Sequence, residues 1–199
     1  RQRELDELTA TLDVVTDQRR SQVIALVGAP GLGKSRLLAE FKATTSTRGV
    51  AWLQGRCLPY GDGVTFWAVA EILKGFAGIL DSDDAEVART KLESALPGDG
   101  EPAWLRARLL PLLGVDSSPV EREELFAAWS RTLELCSQES PAVIVLEDLQ
   151  WADAPAEELV RRLAEDPEPA CMLLLVSFRP DYAAAWAGGP NTVELALAP

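Results

Sequence analysis

The sequence predicts an α/β fold: a mainly parallel five-stranded sheet flanked by helices, with a helical insertion between its second and third strands. Three observations carry this expectation. Short runs rich in branched apolar residues alternate with stretches of helical periodicity along the chain. The best of these runs are continuously apolar, as expected of strands buried on both faces. A turn rich in glycine then follows the first run and leads straight into a helix.

Leu5, Leu8, Leu12 and Val15 recur at helical spacing among charges, so the chain opens with an amphipathic helix ending near Arg20. Residues 23–27 read as a buried strand, and residues 34–47 as a helix whose apolar face is Leu37, Leu38 and Phe41. A second strand follows at 50–55, then a Gly/Pro-rich loop at 57–63 and a helix at 66–80. Helical periodicity continues at 83–96, 102–113 and 120–137, broken by Pro97/Gly98, Gly114 and Pro119. This stretch, about 83–138, is the predicted insertion. Strand character returns at 142–146, helix at 155–164, strand at 170–177, and strand again at 192–195. A single domain over 1–199 is expected. Arg1 in place of Met, and a final segment that reads as a strand followed by the start of another element, suggest a fragment of a larger multidomain protein.

Composition narrows the function. The 19 Lys+Arg against 31 Asp+Glu give a net charge of -12, and the basic residues form no stripe, so direct nucleic-acid binding is not expected. Backbone amides and one lysine can still hold a phosphate inside an acidic protein. Cys57, Cys136 and Cys171 are odd in number, lack CxxC spacing and stand in a chain without histidine, which argues against a disulfide framework and a Cys/His zinc site. The longest strongly apolar run, 170–178, is about half of the ~18 residues a membrane span needs. No membrane association and a cytoplasmic location are expected.

Gly28-Ala29-Pro30-Gly31-Leu32-Gly33-Lys34-Ser35 fits the phosphate-loop pattern G-x-x-x-x-G-K-[ST] at every fixed position, between a buried strand and a helix. Glycines allow backbone torsions closed to other residues, so that successive N–H groups point into one concavity that phosphate oxygens fill. Lys34 then reaches the β- and γ-phosphates, Ser35 ligates Mg²⁺, and the helix N-terminus adds about half a positive charge. Arg36, the next residue, is grouped with the nucleotide-binding positions.

A second acidic element is needed to hold Mg²⁺ or its water, and the apolar run ending in Glu147-Asp148 supplies it at a strand's C-terminal edge. Strand alternation puts the two carboxylates on opposite faces, one toward the metal and the other toward the attacking water; which does which is open. Asp153 is an N-cap candidate for the next helix, with Pro155 in its first turn. Gln150 and Trp151 sit at the same edge, where they touch nucleotide, line an inter-domain surface or, for the tryptophan, pack in the core. Arg179, at the end of the strand 170–177, is a candidate sensor of the γ-phosphate.

These stretches together resemble the STAND class of P-loop NTPases, related to AAA+ proteins. The closer likeness is to the ATPase module beside bacterial adenylate/guanylate cyclase domains and in large LuxR-type transcriptional regulators. Arg1-Gln2-Arg3-Glu4-Leu5 is similar to the end of that class's opening box, Gly55-Arg56-Cys57-Leu58-Pro59-Tyr60-Gly61 to its G-R-C-x-P-Y-G segment, and Phe66-Trp67 to its aromatic pair. Leu146 to Asp153 resembles its acidic box, and Ser177-Phe178-Arg179-Pro180 its sensor strand. The resemblance implies strand order 5-1-4-3-2, with Arg1 near the adenine pocket. It implies ATP/ADP and Mg²⁺ as cofactors, and a switch in which exchange of ADP for ATP lets chains assemble as a homo-oligomer and activate effector domains of the same protein. The opening glycine and the winged-helix segment of that class lie outside this sequence, so turnover is expected to be slow.

Three functions compete. The first is an ATP-hydrolysing regulatory switch. The second is a nucleotide-binding scaffold that does not hydrolyse and presents partner chains with a surface carrying Trp104 and Trp129. The third is a nucleoside kinase, disfavoured because no Arg-rich lid is evident.

Overall fold

The computed structural model describes residues 1–59, 66–96, 102–116, 119–138, 140–165 and 170–198. Tyr60, Gly61 and Gly63 of the predicted loop, the Pro97/Gly98 break and Pro199 lie outside the described residues. Five strands, β1 (Gln22–Val27), β2 (Ala51–Arg56), β3 (Ala142–Glu147), β4 (Met172–Phe178) and β5 (Thr192–Ala196), form one sheet in the order β2-β3-β4-β1-β5. All four pairings are parallel. This is the expected order 5-1-4-3-2, with β4 between the strands that end in the glycine-rich loop and in Glu147.

Alternation along each strand divides the core into two layers. Ile24, Leu26, Val143, Val145, Leu173 and Leu175 face α1 (Gln2–Gln18) and α2 (Lys34–Thr45), where Leu8, Leu12, Leu37 and Phe41 are buried. Val23, Ala25, Ile144, Leu146, Leu174 and Val176 face the other way. There they meet α3 (Trp67–Ala77), α4 (Ala85–Ala95), α5 (Pro102–Leu109), α6 (Arg122–Cys136) and α7 (Ala154–Glu165). Both faces of β3 and β4 are therefore covered, which is why their sequences carry no polar alternation. The helices between β2 and β3 share this second core with the sheet. The last predicted helical turn at 110–113 is 3₁₀, ending at Gly114 in the left-handed region.

One close approach and one strand register matter for the site. A Cβ on Gly55 would lie 2.2 Å from the carbonyl oxygen of Ala68, so only glycine lets α3 rest against β2 at this point. Its neighbour Arg56 is thereby fixed at the C-terminal tip of β2, paired in register with Glu147 of β3.

A candidate nucleotide site at the carboxyl edge of the sheet

β1 ends at Val27, and the turn that follows is tied to both neighbouring strands. The Gly28 amide donates to Phe178 O of β4 at 3.2 Å, and Leu197 N donates to Val27 O at 2.7 Å. Gly31 and Gly33 take φ of 80° and 86°. A Cβ on either would meet nothing within 4 Å, so the glycine requirement there is one of backbone torsion and not of crowding. α2 then starts at Lys34, and among the described residues no side chain caps its first turn. The leading amides of the helix are left to face an anion, with the positive end of the helix dipole behind them.

Lys34 Nζ donates to Gly28 O at 2.5 Å and Ala29 O at 3.2 Å, curled over the turn. Burial is the largest influence on its ammonium and holds it below the ordinary lysine value. The positive charge of Arg179 pushes the same way, while Asp148 and Glu147 pull it upward. The same electrostatic neighbourhood thus contains Lys34, Glu147, Asp148 and Arg179, brought in from three adjacent strand exits. The fixed positions of the glycine-rich turn and the acidic pair meet at one place.

Glu147 is the most constrained member, at 4% exposure. Its Oε2 accepts from Ser35 Oγ at 2.5 Å and its Oε1 from Gln54 Nε2 at 2.7 Å, with Arg56 Nη2 3.3 Å from Oε2. Asp148 does not continue the strand. Its φ of 59° turns the chain out of β3 into a short 3₁₀ helix, Leu149–Trp151. The expectation that strand alternation puts the two carboxylates on opposite faces is therefore corrected, because both lie within reach of one guanidinium: Arg56 Nε is 3.5 Å from Asp148 Oδ2. Alternation holds only while the backbone stays extended.

Ser177, Gln54 and Arg56 have roles in the site that sequence reasoning did not assign. Ser177 is 2% exposed, and its hydroxyl accepts the Asp148 amide at 3.3 Å, which holds the turn where Asp148 leaves the sheet. A lone hydroxyl at the C-terminal end of an otherwise apolar strand was the available signal. For Gln54 and Arg56 the signal was polar residues at a strand tip, meaningful only once β2 is known to lie beside β3. Asp153 caps α7 as expected, accepting from Ala156 N at 2.8 Å, and its other oxygen accepts the Phe66 amide at the start of α3. Trp151 is 42% exposed and so is not a core residue; Arg179 lies over its ring.

Other predicted residues are placed differently. Arg36 extends from α2, with 83% of its side chain exposed, and pairs with Glu40. Arg1 reaches the rim of the turn, where Nη2 donates to Leu32 O at 2.5 Å and to Ala198 O at 3.2 Å. Ala29, Pro30 and Leu32 form the turn itself, with Leu32 N donating to Ala29 O.

Among the described residues no cluster of three His, Cys, Asp or Glu side chains is arranged to hold a metal alone. The donor set fits Mg²⁺ on other grounds. A hydroxyl and a buried carboxylate, Ser35 and Glu147, put hard oxygen donors side by side, and Mg²⁺ completes such a set with phosphate oxygens and water. The three cysteines are free, and burial pushes the thiols of Cys57 and Cys136 up to about 12, so neither is poised as a thiolate.

A parallel sheet of this order, with a glycine turn after its first strand and an acidic tip two strands away, defines a P-loop NTPase domain. Within that class the chain belongs to the AAA ATPase domain family, whose profile matches residues 1–176. Nucleotide binding comes with that membership. An uncharacterised protein of Rhizobium meliloti (strain 1021) is 30% identical over 207 aligned positions covering all of this chain, which spans one fifth (20%) of that relative's length. Among solved structures, Cdc6p from Pyrobaculum aerophilum is similar, with a TM-score of 0.55, 15% identity, and coverage of 98% of this chain and 44% of that one. A Drosophila ORC structure with poly(dA/dT) DNA and Cdc6 has a TM-score of 0.51 and 10% identity, covering 98% of this chain and 28% of that one. At such identities the likeness is one of fold. No helix among the described residues is long and apolar enough to cross a membrane.

Proposed function

We propose that this chain is the nucleotide switch of a larger signalling protein: it binds Mg-ATP at Gly28 to Ser35, hydrolyses it slowly and relays the nucleotide state to partner domains. The observation that carries this reading is the 2.5 Å contact between Ser35 and buried Glu147, with Lys34, Asp148 and Arg179 around it. Mg²⁺, when bound, neutralises charge on the phosphates. Ser35 and Glu147 would hold it, Lys34 would contact the β- and γ-phosphates, and Arg179 the γ-phosphate.

Glu147 is thereby assigned to the metal side, because Ser35 already meets it. Asp148, with 36% of its side chain exposed, is assigned to the attacking water, whose proton its carboxylate accepts. Arg56 touches both carboxylates, so Asp148 must turn from that guanidinium to act, which gives the site two arrangements for nucleotide to choose between. The motif resemblance supports reading the module as one of the STAND class of cyclase-linked or LuxR-type regulators, with assembly on ATP binding. DNA is present in the ORC structure, but the net charge of -12 points this chain toward nucleotide and protein partners.

Phosphate release by the wild-type chain and by Lys34→Ala tests the reading. A loss of about 100-fold or more is expected, as for removal of one well-aimed donor to transferring charge. Equal rates would exclude this loop as the catalytic site. The Arg56 contacts also favour a second reading, a scaffold that binds nucleotide without cleaving it. Binding with no turnover, unchanged by Asp148→Asn, would select that alternative. Its contact surface would use Trp104, which is 37% exposed, and not Trp129, which is 2% exposed.

A further inference from the structure

Trp151 is a large aromatic side chain left 42% exposed at the mouth of the site, and its exposure is not slack. The 3₁₀ turn that carries it is fixed at both ends. Leu149 is fully buried, Trp151 N donates to Asp148 O at 2.9 Å, Ala152 N donates to Leu149 O at 2.9 Å, and Asp153 follows as the cap of α7. The backbone that carries the indole is thus held one turn beyond Asp148. β4 is the neighbour of β3, so its exit brings Arg179 to the same place, with the guanidinium carbon 5.5 Å from the indole centroid.

The partner of Arg179 is a ring and not a carboxylate, an arrangement that Arg122 shares over Phe126. Acidic residues outnumber basic ones 31 to 19, and Arg56, Arg161 and Arg162 all pair with carboxylates. Among the described residues the Arg179 side chain has no ion pair or hydrogen bond, only the indole face. The difference is chemical. A carboxylate would occupy the forked N–H donors and cancel the charge, whereas a ring face attracts the cation and leaves its donors unengaged. Arg179 follows Phe178, whose carbonyl accepts the Gly28 amide at 3.2 Å, so its strand exit is tied to the glycine-rich turn, and its charge is felt at Lys34.

We infer that Trp151 is a positioning residue for triphosphate recognition: its ring holds the Arg179 guanidinium beside the turn Gly28 to Ser35 with the donors available to a terminal phosphate. The inference rests on the proposed triphosphate site and deepens it. It makes discrimination between ATP and ADP depend on a side chain that does not itself touch the nucleotide.

The test is a binding series with ADP and a non-hydrolysable ATP analogue. The wild-type chain is compared with Trp151→Leu, Trp151→Phe, Arg179→Ala and the Trp151→Leu/Arg179→Ala double variant, each checked for an unchanged melting temperature. Trp151→Leu is expected to weaken the analogue about 5-fold, within the span of a partly exposed cation–π contact, and to leave ADP within about 2-fold. Trp151→Phe should restore most of the loss, and Trp151→Leu should add nothing once Arg179 is alanine. Equal weakening of both nucleotides, or a loss that persists in full in the Arg179→Ala background, would overturn the inference while leaving the site intact. If Arg179→Ala alone leaves the ATP-to-ADP preference unchanged, the sensing role of Arg179 fails and the inference falls with it. Should Trp151→Leu prove unstable, the Phe variant and its ratio decide.

Discussion

Replacing Glu147 with glutamine separates the structural from the functional work of the buried carboxylate. The side chain keeps its shape, but one of its two acceptors becomes a donor facing Ser35 or Gln54, each of which now donates to it at 2.5 and 2.7 Å. Both partners can turn to present an oxygen instead, so the contacts persist as neutral ones. Hydrogen bonds to a charged group contribute about 1.5–3 kcal/mol and neutral ones about 0.5–1.5, a loss of roughly 1 kcal/mol for each bond. The carboxylate also no longer has to be desolvated, which offsets part of that. A net loss near 1 kcal/mol corresponds to a fall in Tm of roughly 2–4 °C for a domain of this size. Removing the anionic oxygen beside the proposed metal has a larger effect on catalysis, about 100-fold or more in turnover, near 2.7 kcal/mol of barrier. Calorimetry of the ligand-free chain, paired with phosphate release across a Mg²⁺ titration, reads both quantities. Turnover within about threefold of wild type, with the same Mg²⁺ half-saturation, would refute the assignment of Glu147 to the metal.

Other expectations follow from the same geometry. Gly55→Ala sets a Cβ 2.2 Å from a backbone oxygen that belongs to a helix and cannot simply rotate away, so a destabilisation of about 1–3 kcal/mol is expected in urea unfolding. Glu158 is held at about 2, chiefly by its hydrogen bond from Arg161 and then by that from Arg162. Its folded value lies below the ordinary 4.5, so its contribution is fully present above pH 4.5 and is lost as pH falls toward 2. The arginines are about 40% exposed, which keeps that contribution below about 1 kcal/mol. The Tm gap between wild type and Glu158→Gln should therefore narrow on acidification and on adding salt. Cys57 and Cys136, with thiols raised to about 12, should resist alkylation at pH 8 in the native chain and react on denaturation, as mass spectrometry would record.

What could be read from the sequence, and what could not, divides along the range of the interactions. The strands and helices were legible because strand burial and helix periodicity are written in consecutive residues, and the observed β1, β3 and β4 differ from expectation by a residue or two at their ends. The glycine-rich turn was legible for the same reason: its torsions at Gly31 and Gly33 are a local property of the residues that adopt them. The acidic pair is legible but its geometry is not, because the chain leaves the strand in the left-handed region at Asp148, where Ser177, 29 residues further on, accepts its amide. Arg56 belongs to a recognisable motif that does not reveal its target, since its closeness to Glu147 arises only when β2 pairs with β3 across the whole helical insertion. The least legible feature was Arg179 resting on Trp151. Neither residue's surroundings along the chain announce the other, and their meeting requires β4 to lie between β3 and β1. Loops can thus be read one at a time, whereas the chemistry at a sheet's carboxyl edge is a property of strand order, with each exit supplying one charge or donor and neighbouring exits deciding which of them meet.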